Sequence, residues 1–244
     1  MQNSTTAGII IIGNEILSGK VHDVNSHFLA CELRGLGVDV RRISVIPDDI
    51  EIIGREALDF SGKYDYVFTS GGVGPTHDDV TMEGIAKGFN VSLVEHPEIR
   101  KILLSKYSGP ANSSVLKMTF VPEGSRIDYN ENSRFPVVSF KNIYIFPGIP
   151  DYIKNKFYLI KERFRTSAFY LKKVYLNCHE SDIAETLNRV VESNRDVTFG
   201  SYPVIGKPEY RVMLTAEARS DSPLKKALDE LLREIPGNLV VRVE

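Results

Sequence analysis

The sequence predicts an α/β fold, in which a three-layer domain with a parallel-type sheet is followed by a small α+β domain. Strand-like and helix-like segments alternate up to about residue 165, which implies crossover connections and a parallel sheet covered on both faces. Beyond Arg165 the order changes to β-α-β-β-α-β, a split βαβ arrangement. A chain of 244 residues also exceeds the usual size of one domain. We therefore predict domains at residues 1–168 and 169–244.

The first part of the chain shows successive strand-to-helix units. Residues 7–12 are apolar and β-branched and end at Gly13, the pattern of a strand buried on both faces. Asn25 or Ser26 can cap the helix that follows, and Gly37 can end it. Further strands are predicted at residues 38–46 and 64–70, and further helices from Pro47 to about residue 60 and from about Asp79 to residue 88.

The segment at residues 121–136 is predicted to be irregular and to bear a loop, because it is rich in Gly, Pro, Asn and Ser and shows no clean period. Around it lie predicted helices at residues 97–107 and 151–164, and a strand at residues 142–146 that ends at Pro147-Gly148-Ile149-Pro150. The small domain is predicted to contain strands at residues 172–177, 197–200, 210–216 and 239–243, with helices at residues 182–191 and 223–235.

Composition and charge exclude several classes of protein. Thirty basic and thirty-two acidic residues give a net charge of −2, which offers no general attraction for nucleic acid or an anionic membrane. The apolar run at residues 9–12 is too short to span a bilayer, and no signal segment precedes it. Cys31 and Cys178 lack metal-site spacing. We expect a cytoplasmic protein with a small-molecule ligand and neither a nucleic-acid nor a membrane partner.

The most informative stretch, residues 70–81, lies between a buried strand and a helix and reads Ser-Gly-Gly-Val-Gly-Pro-Thr-His-Asp-Asp-Val-Thr. Glycines let backbone N–H groups approach an anion, and a helix N-terminus adds partial positive charge, so phosphate is the expected ligand. Asp78 and Asp79 would repel a phosphate unless a cation lies between them or they cap the helix. A divalent metal ion removes that conflict. His77 could contact the phosphate or act as a general acid, or have no more than a structural role.

Polar residues also follow the neighbouring strands. Asp48 lies at a strand-to-helix junction, and Glu15, Asp23 and Asn25 follow the first strand, so all four are expected at the sheet edge where open parallel sheets bind ligands. Asp48 and Asp79 could equally serve only as helix caps. Three acidic loops on one edge of one sheet favour a ligand site.

Several motifs taken in order resemble a known family. They are Gly13-Asn14-Glu15-Ile16-Leu17-Ser18-Gly19, Asp23-Val24-Asn25-Ser26, Ile46-Pro47-Asp48-Asp49, the loop at residues 71–81, and Pro147-Gly148-Ile149-Pro150. Over about residues 7–165 the chain is similar to the molybdopterin-binding-like domain family, which includes molybdenum cofactor biosynthesis proteins and the N-terminal domain of the competence/damage-inducible protein CinA. A closer similarity, to the N-terminal region of eukaryotic-type FAD synthase, rests on Arg134-Phe135-Pro136-Val137-Val138-Ser139, Phe146-Pro147-Gly148-Ile149-Pro150, and Gly200-Ser201-Tyr202-Pro203 with Tyr210.

The resemblance implies metal-dependent hydrolysis of the pyrophosphate bond of an adenine dinucleotide, either FAD or ADP-ribose, with AMP as one product. It implies a divalent cation, cobalt, magnesium or manganese, with potassium as a further candidate. By position in the motifs, Asp48, Asp78 and Asp79 are the expected catalytic residues and metal ligands. The expected ligand-binding residues are Gly13, Glu15, Asn25, Ser70, Gly71, Gly72, Gly74, Pro75, Thr76, His77, Thr81, Pro147 and Gly148.

Two alternatives stay open at this point. One is a protein of molybdenum cofactor biosynthesis that binds molybdopterin or transfers adenylate to it, and the other is a non-catalytic nucleotide-binding module. The family's relatives are dimers or trimers, so the resemblance also implies a homo-oligomer. Because residues 1–244 lack the sulfurtransferase-like domain that makes FAD and the separate C-terminal CinA domain, neither FAD synthesis nor nicotinamide mononucleotide deamidation is expected.

Overall fold

The computed structural model describes residues 4–106, 112–129, 135–167, 169–206 and 209–244. The quoted motif residue Arg134, the end of the predicted helix at residue 107 and the predicted domain boundary at residue 168 lie outside these ranges. By its internal contacts the chain divides into two compact units, Met1–Thr166 and Ser167–Glu244. Within the described ranges, no helix is both long and apolar enough to cross a bilayer.

A mixed sheet forms the centre of the first unit. Its strands are β1 Thr6–Ile12, β2 Asp39–Ile46, β3 Tyr66–Ser70, β6 Arg126–Asp128, β7 Val137–Phe140 and β8 Ile143–Phe146, and β4 Leu93–Glu95 pairs separately with β5 Phe120–Pro122. Among the described residues the strand order is β2-β1-β3-β8-β7-β6. The first four strands in that order are parallel, and β7 is antiparallel to both β8 and β6. The predicted α/β fold is therefore confirmed, with an antiparallel edge added to the parallel sheet.

The antiparallel edge of the sheet follows from the short connection between β7 and β8. Only Lys141 and Asn142 separate β7 from β8, and Lys141 has a φ of 52°, a left-handed conformation suited to a tight hairpin. A parallel pair needs a crossover of a dozen or more residues, so two residues can join only antiparallel strands. The segment predicted to be irregular, residues 121–136, overlaps β5 and contains β6, so that prediction is wrong where these short strands lie.

Helices cover both faces of this sheet. They are α1 Asn14–Leu17, α2 Asn25–Gly35, α3 Ile50–Lys63, α4 Thr81–Gly88, α5 Pro97–Lys106, α6 Ser113–Lys117 and α7 Pro150–Ile160, the last continued by a 3₁₀ turn at Lys161–Phe164. Side chains alternate along β1: Ile10 and Ile12 pack in one core with α3 and α4, while Ile9 and Ile11 pack in the other with α2 and α7. This two-sided burial explains why β1 is continuously apolar.

The start of α2 differs from the prediction. The N-cap residue is Val24, which makes no side-chain capping bond, and the carboxylate of Asp23 accepts hydrogen bonds from the N–H groups of Asn25 and Ser26, each at 3.0 Å. Asn25 and Ser26 are therefore inside the first turn and are not its cap. The side chain of Asn25 instead contacts the residues that follow β3 and β8, at the edge of the sheet where these strands end.

The second unit is the predicted split βαβ arrangement. Its elements are β9 Tyr170–Leu176, α8 Glu180–Ser193, β10 Thr198–Pro203, β11 Val212–Ala218, α9 Asp221–Glu234 and β12 Val240–Val243. Among its described residues the strands form an antiparallel sheet in the order β10-β11-β9-β12. Along β11 buried and partly buried residues alternate, and Val212 and Leu214 pack with Ile183 of α8 and Leu231 of α9. Both helices thus share one core.

Candidate ligand-binding cleft

A cleft of about 1290 Å³ opens in the first unit at the edge of the sheet where β1, β3 and β8 end. Open parallel sheets bind ligands at this edge. The residues predicted from sequence that line it are Glu15, Asn25, Ser70, Gly71, Gly72, Gly74, Pro75, Asp79, Pro147 and Gly148. Within the described part of the chain, the other candidates lie in the surrounding loops and not in the lining: Gly13, Asp48, Thr76, His77, Asp78 and Thr81.

The glycine loop that follows β3 is held against the end of β1. Gly71 has a φ of 113°, and a Cβ atom placed on it would lie 2.0 Å from the carbonyl oxygen of Ile12. Gly72 has a φ of 64°, and its Cβ would lie 2.4 Å from Oγ1 of Thr81. The buried Thr81 hydroxyl donates to the carbonyl of Gly71 at 2.9 Å, which ties the loop to the start of α4. Glycine is therefore required at both positions.

The loop leaves backbone donors for a ligand. In the part of the chain that the structure describes, the N–H groups of Gly72, Val73 and Gly74 donate to no protein acceptor. Buried or cleft-facing N–H groups normally have a partner, because an unpaired donor has a free-energy cost. Three successive unpaired amides in a glycine loop offer hydrogen-bond donors and partial positive charge to an anion. This geometry fits a phosphate group.

Asn25 joins α2 to two loops of the cleft. Its side-chain nitrogen donates to the carbonyl oxygen of Gly148 at 2.7 Å and to Oγ of Ser70 at 3.0 Å. Ser70 in turn donates to the carbonyl oxygen of Pro147 at 3.2 Å, so its hydroxyl accepts from Asn25. The amide oxygen of Asn25 has no hydrogen-bond partner among the described residues, although only 8% of the residue is exposed. That oxygen is an acceptor available to a ligand donor.

Two carboxylates converge on the hydroxyl group of Thr76. Oδ1 of Asp78 and Oδ2 of Asp79 each lie 2.5 Å from Oγ1 of Thr76, and Oδ2 of Asp79 also accepts the Thr76 N–H at 2.8 Å. The hydrogen bond from Thr76 is the main cause that holds the pKa of Asp78 below its ordinary value. Lys117 of α6 donates to the carbonyl of Thr76 at 3.2 Å and brings a positive charge to the same loop. The loop therefore favours the charged form of Asp78.

Helix capping does not account for Asp48 or Asp79. The cap of α3 is Asp49, whose carboxylate accepts the Ile52 N–H at 2.9 Å, and the residue before α4 is Val80, without a side-chain capping bond. Asp48 instead accepts the N–H of Asn14 at 2.8 Å and so fixes the start of α1. The capping interpretation of these two carboxylates is wrong.

The paired carboxylates have the right donor chemistry for a hard divalent cation, which prefers oxygen ligands. Asp78 and Asp79 supply such oxygens, and phosphate oxygens and water would complete the shell. Among the described residues, however, no group of three or more His, Cys, Asp or Glu side chains is arranged to hold a metal ion. The predicted ligands Asp48, Asp78 and Asp79 are therefore not grouped as a metal site there, and a cation at Asp78 and Asp79 would need oxygens from a bound phosphate or water.

Lys156 of α7 lines the cleft and was not predicted from the sequence. It is 8% exposed, and its Nζ donates to the carbonyl oxygens of Phe135 and Pro136 at 2.5 and 2.6 Å. Burial lowers the pKa of its ammonium group to about 7. A lysine inside a helical stretch usually lies in solvent, so its place among the apolar positions Ile153, Phe157 and Ile160 is the one local indication of this burial.

His77 is almost fully exposed, with 98% of its side chain accessible, and its Nδ1 lies 3.9 Å from Oδ1 of Asp78. Gly13 lies beneath the carboxylate of Glu15, since a Cβ atom on Gly13 would meet Oε1 of that residue at 2.5 Å. The structure therefore keeps Glu15 at the cleft and leaves His77 in solvent beside it.

Known protein families match both units of the chain. The family model described as "Probable molybdopterin binding domain" matches residues 8–166, which is well over half of the chain. The chain belongs to this molybdopterin-binding domain family. A second model, "FAD synthase, middle domain", matches residues 168–244. The family assigned from the sequence motifs is thus confirmed, and the small second unit has its own match.

Several relatives span both units. A protein of Archaeoglobus fulgidus is 41% identical over 93% of this chain and 97% of its own length. The "Probable FAD synthase" of Caenorhabditis elegans is 33% identical over 98% of this chain but only 52% of its own length. A solved structure titled as the protein CinA of unknown function from Thermoplasma acidophilum is 30% identical, with a TM-score of 0.62, and covers 66% of this chain and 100% of its own. The chain therefore spans about half the length of the FAD synthase that it matches.

Proposed function

We propose that the first unit hydrolyses the pyrophosphate bond of an adenine dinucleotide, FAD or ADP-ribose, and releases AMP. The observation that carries this proposal is the row of unpaired amides at Gly72, Val73 and Gly74, next to the carboxylates of Asp78 and Asp79. The amides suit a phosphate, and the carboxylates suit a cation that binds the same phosphate.

The size of the cleft also supports a dinucleotide. Pockets for drug-sized ligands measure roughly 300 to 1,000 Å³, and this cleft of about 1290 Å³ is larger. Its lining combines polar loops with apolar and aromatic groups such as Ile16, Val138, Phe135 and Tyr152, which suit ring systems. A single phosphate would leave most of this volume empty.

Each group has a role in the proposed reaction. The amides of the glycine loop bind one phosphate and offset the charge that develops on it, Asn25 accepts a ligand hydrogen bond, and Asp48 fixes Asn14 beside Glu15. Asp78 and Asp79 would hold a divalent cation, which, when bound, neutralises pyrophosphate charge and lowers the pKa of a bound water. A P–O bond to water forms as the bridging P–O bond breaks, so that FAD and water give AMP and FMN.

The test is AMP formation from FAD, ADP-ribose and NAD, each incubated with cobalt, magnesium or manganese in the presence of potassium. Asp79→Asn keeps an acceptor for Thr76 but removes the charge, and we expect it to lower kcat about 100-fold or more. Asp229→Asn changes an exposed acid of the second unit and serves as the matched control. Equal rates in Asp79→Asn and the control would contradict the assignment.

A second candidate is binding of a pterin without hydrolysis, which the family match favours because its model is described as a molybdopterin-binding domain. The same amides would then bind the phosphate of the pterin. Retention of a pterin fluorophore through purification, together with no AMP from any dinucleotide, would favour this candidate. Tight dinucleotide binding without turnover would instead indicate a non-catalytic nucleotide-binding module.

A further inference from the structure

A buried ammonium group forms part of the cleft wall some distance from the glycine loop. Gly148 lies against Gly71, since a Cβ atom on Gly148 would be 3.6 Å from the Cα of Gly71, and α7 begins two residues later at Pro150. Lys156 follows six residues along α7, about 9 Å further along the helix axis. Helical side chains point back toward the N-terminus, so its ammonium group lies on the glycine-loop side of its own backbone.

The hydrogen bonds of Lys156 are incomplete for a charged group. An ammonium has three N–H donors, and two of them are used by the carbonyl oxygens of Phe135 and Pro136. No acidic side chain in the described part of the chain forms a salt bridge or hydrogen bond with it. Burial alone accounts for its lowered pKa of about 7. An anion at the third donor would stabilise the charged form and raise that pKa.

Lys156 is also the one lysine or arginine in the cleft lining, as far as the described residues show. The other titratable lining residues come from several elements and are mostly acidic: Glu15, His22, Asp23, Asp79 and Tyr152. An anionic ligand therefore meets little positive side-chain charge elsewhere in the cleft. The charge of Lys156 is the side-chain feature best suited to attract it.

We propose that Lys156 is a second anchoring group of the cleft and that its third N–H binds a phosphate oxygen of the nucleotide. This inference rests on the proposed function, because it takes the ligand to be a pyrophosphate-linked dinucleotide. One phosphate lies on the amides of the glycine loop, and the ammonium group binds the other. Ligand binding then takes up protons near neutral pH, and affinity falls as the pH rises through the pKa of the free group.

The experiment is titration calorimetry with the α,β-methylene analogue of ADP-ribose, which is not cleaved and has no group that titrates between about pH 6 and pH 9. Measurements at pH 7 in two buffers with different ionisation enthalpies give the number of protons taken up. For a group with a pKa of about 7 we expect roughly half a proton per ligand. This measurement uses the unaltered chain, so it does not depend on how a variant folds.

Variants then assign the proton to a residue. Lys156→Met is expected to abolish the uptake and to weaken binding about tenfold or more at pH 6, with the difference fading by pH 9. Lys154→Met makes the same change at an exposed position of the same helix, and His22→Gln removes the histidine of the cleft lining. Both controls are expected to keep the uptake. A role of Lys156 in holding Phe135 and Pro136 alone would change thermal stability but not proton uptake.

The outcomes separate this inference from the proposed function. No proton uptake by the unaltered chain, or equal uptake in Lys156→Met, would overturn the role of Lys156 even if AMP is formed from a dinucleotide. Proton-linked binding that depends on Lys156, without AMP from any dinucleotide, would support the anchoring role and reject hydrolysis. Absence of binding at millimolar analogue would contradict both.

Discussion

Replacing Gly71 with alanine tests whether the glycine loop is fixed by its close contact with β1. The new Cβ atom would lie 2.0 Å from the carbonyl oxygen of Ile12, and the φ of 113° is unfavourable for any residue with a side chain. Backbone strain costs about 1–3 kcal/mol and overpacking costs about 1–3 kcal/mol, so we expect a loss of about 2–6 kcal/mol. For a domain of this size that corresponds to a melting temperature lower by roughly 4–24 °C.

Gly124→Ala is the matched control, because Gly124 has a φ of 88° and its Cβ would meet nothing within 4 Å. It introduces backbone strain without a clash and is expected to cost about 1–2 kcal/mol, or roughly 2–8 °C. Thermal and urea unfolding, followed by circular dichroism, measure both variants. If Gly71→Ala lost no more stability than Gly124→Ala, the close contact between the loop and β1 would be refuted.

Three further predictions concern single side chains. Asp49→Ala removes the cap of α3 and is expected to lower the free energy of unfolding by about 1 kcal/mol. Asp48→Ala, at the neighbouring position, leaves that cap intact, and urea unfolding of both variants compares their free energies of unfolding. Thr76→Val removes the hydroxyl donor that lowers the pKa of Asp78, so we expect the pKa of this carboxyl, measured by NMR titration, to rise toward its ordinary value of 3.8. Because the pKa is depressed in the folded state, the contact stabilises the fold above pH 3.8, and this contribution is lost as the pH falls through the folded pKa. Asn25→Ala removes two hydrogen bonds to loops of the cleft and is expected to cost about 1–3 kcal/mol by urea unfolding and to weaken nucleotide binding by calorimetry. Unchanged unfolding in Asn25→Ala would show that these bonds do not stabilise the fold.

Much of the fold could be predicted because its elements follow local patterns. The continuous apolar run of β1 indicates a strand buried on two faces, and the structure places helices on both. The antiparallel edge was missed because β6 has three residues and β7 has four, too few to show a period. The two-residue hairpin between β7 and β8 was missed with them.

The site was predictable to the extent that it consists of loops after strands. The glycine loop and Asp79 line the cleft as expected, because strand ends of a parallel sheet meet at one edge. The sequence did not indicate that Asp23, and not Asn25, accepts the N–H groups of the first turn of α2. Either residue type can do so, and only the tertiary contacts of Asn25 with Ser70 and Gly148 decide between them.

Lys156 shows a limit of a different kind. Its helix was predicted, but the burial of its charge depends on the carbonyl groups of Phe135 and Pro136. These residues are about twenty positions away in sequence, so the local pattern around Lys156 does not indicate the contact. A charged residue is normally placed in solvent by pattern alone. The positively charged side chain of the cleft lining could therefore be identified only from the three-dimensional structure.

The most direct test of pyrophosphate hydrolysis is a single-turnover reaction of FAD or ADP-ribose in ¹⁸O-labelled water, with the products analysed by mass spectrometry. We expect AMP and its partner monophosphate, one labelled oxygen on one of the two products, and a rate lowered about 100-fold or more in Asp79→Asn. Formation of no AMP with any of the three metals, or an unchanged rate in Asp79→Asn, would contradict it.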